Sequence, residues 1–114
     1  MTRDAFKHWN TIPTRFRDLD PMGHVNSSVY FTYFEVGRTD FFEKSGVSGF
    51  RVKGKWGIPV VSQTCDYRLQ VFHPSALDLG VRCADLRKKT VHLEYALFLA
   101  GTDTLVASGQ SLSV

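Results

Sequence analysis

In "FRDLDPMGHVNSSVY", residues 16 to 30, an aspartate, a histidine and an asparagine stand at positions 20, 24 and 26 around Pro21 and Gly23. Proline and then glycine at that spacing predict a turn, which gathers Asp20, His24 and Asn26 at the threshold of the next segment. That segment, Ser27 to about Lys44, contains no proline, and Asn26, Ser27 or Ser28 can each accept the first amide hydrogen bonds of a helix. The free amides of a first helical turn carry partial positive charge and can hydrogen-bond an oxygen that becomes negative during a reaction. A carboxylate beside them, Asp20, would supply a nucleophile or a base. His24 is read as a residue that orients water or Asp20, or as a loop histidine bonded to backbone; Asn26 is read as a helix cap or a substrate contact.

Each of these residues also has a plainer use. Asp20 can be a turn or capping carboxylate. Asp18 is expected at a solvated strand end or paired with Arg15 or Arg17, because one parity step from Asp20 does not bring the two side chains together. Metal binding by Asp18, Asp20 and His24 is disfavoured: oxygen-rich sites draw more carboxylates, and no second histidine or cysteine lies nearby in sequence. Glu35 falls among helix aromatics, where an unpaired acid is expensive, so a bond to Arg38 or to a partner subunit is expected.

The elements that must position this cluster follow from periodicity. "HWNTIPTRFR", residues 8 to 17, alternates weakly and contains Pro13, which suits an edge strand. The helix after the turn carries apolar or aromatic side chains on nearly every side, so it must be enclosed, and Gly37 within it marks a point where another backbone passes close. Gly46 stands where a C-terminal cap belongs. Beyond a glycine- and lysine-rich surface crossing at 45 to 57, four strands are expected. Val61, Cys65, Tyr67, Leu69 and Val71 share one parity, as do Val91, Leu93, Tyr95, Leu97 and Leu99, with Leu79, Val81 and Cys83 as a shorter set. "FHPSALD", "DLRKKT" and "AGTDT" supply the turns of an antiparallel meander, and "LVASGQSLSV" ends the chain as the last strand.

A chain of 114 residues, 43% apolar and 22% charged, fits one domain with one core, residues 1 to 114, and leaves little room for a deep closed cavity. A ligand site of such a domain is expected to draw on a second subunit. Cys65 and Cys83 have neither metal-knuckle nor disulfide spacing and are read as small core residues. The net charge of +3 and aromatics not interleaved with arginine argue against a nucleic-acid partner. Nothing resembles a secretory signal or a membrane span, so the expected address is cytoplasmic, with no membrane partner.

Three ordered segments, "RDLDPMGHVNSSVYFTYFEVGRTDFF", "GIPVVS" at 57 to 62 and "RKKT" at 87 to 90, resemble the 4-hydroxybenzoyl-CoA thioesterase branch of the hotdog-fold acyl-CoA thioesterases over nearly the whole chain. The resemblance implies an α+β hotdog fold, one long central helix wrapped by a five-stranded antiparallel sheet. It also implies dimers that pair their sheets, with active sites at the subunit boundary; a homodimer or homotetramer is expected, and the reaction is expected to need no metal or cofactor. By position, Asp20 corresponds to the catalytic carboxylate and the Ser27 amide to the group that polarises the thioester carbonyl, with His24 supporting them.

The basic hairpin Arg87, Lys88 and Lys89 is then a candidate for the phosphates of coenzyme A, with Arg51, Lys53 and Lys55 as a weaker surface set. Asn26, Tyr30, Tyr33, Phe34, Pro59 and Val60 are candidates for substrate contact, although such aromatics also serve as plain core. The expected reaction is hydrolysis of an acyl-CoA to a carboxylic acid and free coenzyme A. Asp20 would either attack the carbonyl to give a mixed anhydride or take a proton from water. A hotdog acyl-CoA hydratase or dehydratase, and a non-catalytic acyl-CoA-binding module, are the competing expectations.

Overall fold

The computed structural model describes residues 1–45, 51–52, 55–56 and 59–114. Strand β1, His8–Pro13, leads through a turn of 3-10 helix at Phe16–Asp18 and the Asp20 turn into helix α1, Val29–Lys44. After α1 come two short paired strands, β2 (Arg51–Val52) and β3 (Lys55–Trp56), and then β4 (Val60–Tyr67), β5 (Ala76–Leu86), β6 (Val91–Leu99) and β7 (Leu105–Ser113). β1 and β4 to β7 form one antiparallel five-stranded sheet in the order β1-β5-β6-β7-β4, with α1 against one face. This is the hotdog arrangement. No helix among the described residues is long and apolar enough to cross a membrane.

β1 is an edge strand, as Pro13 requires, and Pro13 closes it opposite Ala76. β5, β6 and β7 form the expected meander, but β4 pairs with β7, from Val60 opposite Ser113 to Tyr67 opposite Ala107, and not with β5. The connection from Arg68 to Ser75 therefore passes the ends of two strands instead of making a hairpin. The β4 parity set also ends early. The strand stops at Tyr67, Leu69 is 50% exposed, and Val71 enters the core from the connecting segment.

Alternation on β5 and β6 sorts side chains as their pattern requires: Leu77, Leu79, Val81, Leu93, Tyr95 and Leu97 pack under the helix, while Ala96 and Phe98 join Phe6 on the other face. The helix meets the sheet along a stripe of Tyr30, Tyr33, Phe34, Gly37 and Phe42. Its opposite face is open, with Val36 48% exposed, so the described residues cover one side of the helix and do not enclose it. The close neighbours of Gly37 are side chains rather than backbone: a Cβ there would strike Leu79 Cδ2 and lie 2.9 Å from Val81 Cγ2. Cys65 is half-buried, but Cys83 is exposed near the end of β5 and is not a core residue. The expected cap Gly46, and Lys53 with the side chains of Arg51 and Lys55, lie outside the described residues.

Candidate active site

The turn before α1 is built by its own side chain. Gly23 N–H donates to the Asp20 carbonyl at 3.0 Å, Asp20 N–H donates to the His24 carbonyl at 2.8 Å, and Gly23 takes φ +84°. That left-handed angle is the one a glycine adopts without strain. Asp20 Oδ1 accepts from the N–H groups of Met22 at 2.9 Å and His24 at 3.2 Å. The carboxylate is thus fastened by one oxygen, while Oδ2 has no hydrogen bond among the described residues.

Two contacts hang this turn on the fold: Val25 N–H donates to the Val71 carbonyl and Asn26 N–H to the Asp18 carbonyl, both at 2.8 Å. Asp18 is the buried anchor. Its Oδ1 receives Arg15 Nε at 3.0 Å and Nη2 at 2.8 Å, and its Oδ2 receives the Arg15 amide at 2.9 Å and the Tyr33 hydroxyl at 2.7 Å. Burial disfavours its charge, but these four bonds outweigh that, and the carboxyl is held below its ordinary range. The pairing with Arg15 matches one of the two expected partners; the solvated alternative does not apply, since Asp18 is 1% exposed.

Just before the helix, Asn26 Oδ1 accepts from Ser28 N–H at 3.0 Å and Ser28 Oγ at 2.9 Å, an Asx turn that leads into α1; Ser28, the residue preceding the helix, makes no side-chain cap bond of its own. The Ser27 carbonyl accepts from the Tyr67 hydroxyl at 2.6 Å, whereas the Ser27 N–H has no acceptor among the described residues. Burial, followed by the neighbouring Cys65, pushes the Tyr67 hydroxyl up to about 12, so it remains a proton donor to that carbonyl. An open groove of about 470 Å³ runs over this point, with Asp20, His24, Asn26, Ser27 and Tyr30 on one side and Tyr67 to Gln70 on the other.

The groove therefore gathers five of the expected site residues. Asp20 and Ser27 both line this groove, and a carboxylate with one oxygen unbonded and a backbone amide without an acceptor are the two groups that acyl transfer can use. The His24 ring packs edge-on against Phe72 with centroids 4.8 Å apart and makes no hydrogen bond to Asp20; it is the backbone of His24 that holds the acid. Phe34 and Tyr33 lie outside the groove in the core. Phe34 is stacked on Tyr95 at 4.5 Å, and Tyr33 is spent on Asp18.

The remaining candidates are distant within one chain. Pro59, which is exposed, and Val60, half-buried, open β4 at the end opposite Tyr67. Arg87, Lys88 and Lys89 form an exposed tip between β5 and β6, where Arg87 Nε donates to Asp85 at 2.9 Å. Since Val91 opposes Ser113 and Tyr67 opposes Ala107, the tip lies about 20 Å along β7 from the groove at roughly 3.3 Å per residue. Glu35 is 70% exposed with Arg38 at 3.9 Å, the expected partner at a loose distance. Sequence reasoning did not select Tyr67, Arg68, Leu69 or Gln70 for the site. Their signal was masked because the parity of Val61 to Val71 reads as an unbroken strand.

A hollow of about 530 Å³ at the other end of α1, beside His8, Phe41 and Lys44, is slightly larger. The acid near it, Asp40, is already engaged by Asn10 at 3.0 Å, Lys44 at 3.1 Å and His8 at 3.2 Å, which leaves it poorly suited to chemistry. No three of His, Cys, Asp and Glu are grouped as metal ligands among the described residues.

Comparison with known proteins is consistent along the chain. The model of the Thioesterase-like superfamily matches residues 14–114. The uncharacterized protein YsmA of Bacillus subtilis (strain 168) is 31% identical over 94 residues; the match covers 82% of this chain, which spans only 62% of that relative's length. Among solved structures, the PA5185 protein of Pseudomonas aeruginosa superposes with a TM-score of 0.87 at 34% identity, covering 99% of this chain and 78% of that one. A thioesterase from Thermus thermophilus, solved with coenzyme A and Zn, superposes at 0.79 with 27% identity, covering 96% of this chain and 83% of its own.

Proposed function

Because the chain belongs to the thioesterase-like superfamily, we propose that residues 1–114 form one domain that hydrolyses an acyl-CoA to a carboxylic acid and free coenzyme A. The observation that carries this reading is the half-bonded state of Asp20: two backbone amides fix Oδ1 and leave Oδ2 unbonded, in a residue that lines the same groove as Ser27. A substrate carbonyl seated there accepts from Ser27 N–H, and the helix dipole adds to the stabilisation of the oxyanion. Asp20 Oδ2 then takes one of two routes. It removes a proton from a water that attacks the carbonyl carbon, or it attacks that carbon itself to give a mixed anhydride that water opens. In either route the carbon–sulfur bond breaks, the thiolate departs and takes a proton, and the acyl group gains the water oxygen.

His24 supports the acid through its backbone, and Asn26, which lines the same groove, is a candidate substrate contact. The protein acts in this reading as a cytoplasmic homodimer or homotetramer. Sheet pairing would bring the Pro59 end of β4 and the basic tip at Arg87 to Lys89 toward a neighbour's groove. The thioester hydrolase reading is favoured over a hydratase because the His24 ring is turned onto Phe72 and offers no acid–base partner to Asp20. Assay of free thiol over short, long, branched and aromatic acyl-CoAs tests it, with Asp20→Ala as control. Release by the parent and loss of at least about 100-fold in the folded variant is expected; equal rates in the two proteins would remove Asp20 from the reaction.

A further inference from the structure

Arg68 is the one permanent cation among the described residues that line the groove, and its guanidinium makes no hydrogen bond or ion pair with any of them. Most other arginines of the fold are engaged: Arg3 with Asp78, Arg15 with Asp18, Arg38 with Tyr95, Arg82 with Glu94 and Arg87 with Asp85. The backbone at Arg68 is nonetheless well fixed. The N–H groups of Arg68 and Leu69 both donate to the Val106 carbonyl, at 2.9 and 3.2 Å. Two residues further on, the buried Val71 gives its carbonyl to Val25 at 2.8 Å. Residues 68 to 70 are therefore a short strap tied at both ends across the groove from Asp20, and they carry an exposed, uncommitted fork of donors.

A guanidinium so placed pairs with planar or tetrahedral oxyanions in bidentate fashion. Resting on the thioesterase reading, we propose that Arg68 is the anion-binding, specificity-determining residue of the groove and pairs with an oxyanion of the thioester substrate. Two parts of such a substrate supply that chemistry: the phosphates of coenzyme A, or a carboxylate carried by the acyl group beyond the thioester. The exposed tip at Arg87 to Lys89 does not compete for this role within the subunit, since it lies about 20 Å away along β7. Leu69, 50% exposed beside Arg68, gives the same strap an apolar contact for the uncharged part of the ligand.

The test uses three non-hydrolysable thioethers, so that it does not depend on turnover: S-butyl-pantetheine, S-butyl-CoA and S-(3-carboxypropyl)-pantetheine. Dissociation constants are measured by calorimetry on the whole chain for the parent, Arg68→Ala and Arg68→Lys. Arg68→Ala is expected to weaken one of the two anionic ligands by about tenfold and leave the neutral one unchanged, with partial recovery in Arg68→Lys. Selective loss for S-butyl-CoA assigns the phosphates as the partner; selective loss for the carboxypropyl ligand assigns the acyl carboxylate. An equal change for all three ligands, no change for any, or no binding of any ligand to the parent overturns the proposal. Thiol release by the parent, measured in parallel, separates this failure from failure of the thioesterase reading.

Discussion

Asp18 and Asp20 stand two positions apart, and the bonds around them differ in one respect that matters. Asp18 has both oxygens occupied, by Arg15 and Tyr33, in a site 1% exposed; Asp20 has one occupied and one free beside a groove. The folded state holds the Asp18 carboxyl below its usual range, so this group stabilises the fold above its unfolded value of about 3.9 and loses that contribution as pH falls through the lower folded value. Asp18→Asn is expected to cost about 2–3 kcal/mol at neutral pH, because a buried hydroxyl and an amide lose their charged acceptor. Urea unfolding from pH 3 to 7 should also show a shallower acid limb in the variant; an acid limb as steep as the parent's would contradict the assignment. The bond to Arg15 was legible in the sequence as a three-residue neighbour, whereas the bond from Tyr33, fifteen residues away, depends on how the helix docks. Asp20 was legible by residue type and turn chemistry, but its half-bonded state was not, since it arises from the two amides that the turn directs at one oxygen.

At the scale of elements, the seat of the helix depends on two glycines. Gly109 on β7 opposes Tyr95 and Cys65, and a Cβ there would lie 2.5 Å from both Phe34 Cε2 and the Thr64 carbonyl oxygen. Gly109→Ala is therefore expected to destabilise by about 2–3 kcal/mol through overpacking against backbone, read as a lower urea midpoint at unchanged slope. Gly37→Ala meets the buried side chains of Leu79 and Val81 rather than backbone and gains about 1 kcal/mol of helix propensity, so its net loss should be smaller than that at Gly109. A larger loss at Gly37 than at Gly109 would mean that the helix docks elsewhere. The edge strand, the helix and the β5 to β7 meander were legible because proline, caps and parity are local signals. The place of β4 beside β7 was not, because parity states which side chains share a face and is silent on which strand lies next door.

Across the molecule, large apolar side chains are exposed both on the edge strand β4 and on the outer face of α1. β4 has its second edge unpaired among the described residues, Val61 is 59% exposed and Tyr67 47%, and Val36 opens on the uncovered face of α1. An apolar edge of this kind invites pairing with another copy, which accords with the proposed homodimer. Light scattering is expected to give a multiple of the 12.9 kDa chain mass, and Val61→Lys with Gln63→Lys should shift it toward the monomer; a monomeric parent would contradict the dimer. The expectation of a fully enclosed helix overreached because the exposed positions of α1 are Thr32, Glu35, Thr39, Glu43 and Lys44, with Val36 the one apolar residue among them; that face is polar enough to stand in water. In the proposed reaction Asp20 Oδ2 acts together with the Ser27 amide. The most direct measurement of this is single-turnover thiol release by Asp20→Asn, which keeps the turn's acceptor at Oδ1 and removes the charge. A folded variant slowed by at least about 100-fold is the predicted result, and release at the parent's rate would contradict it.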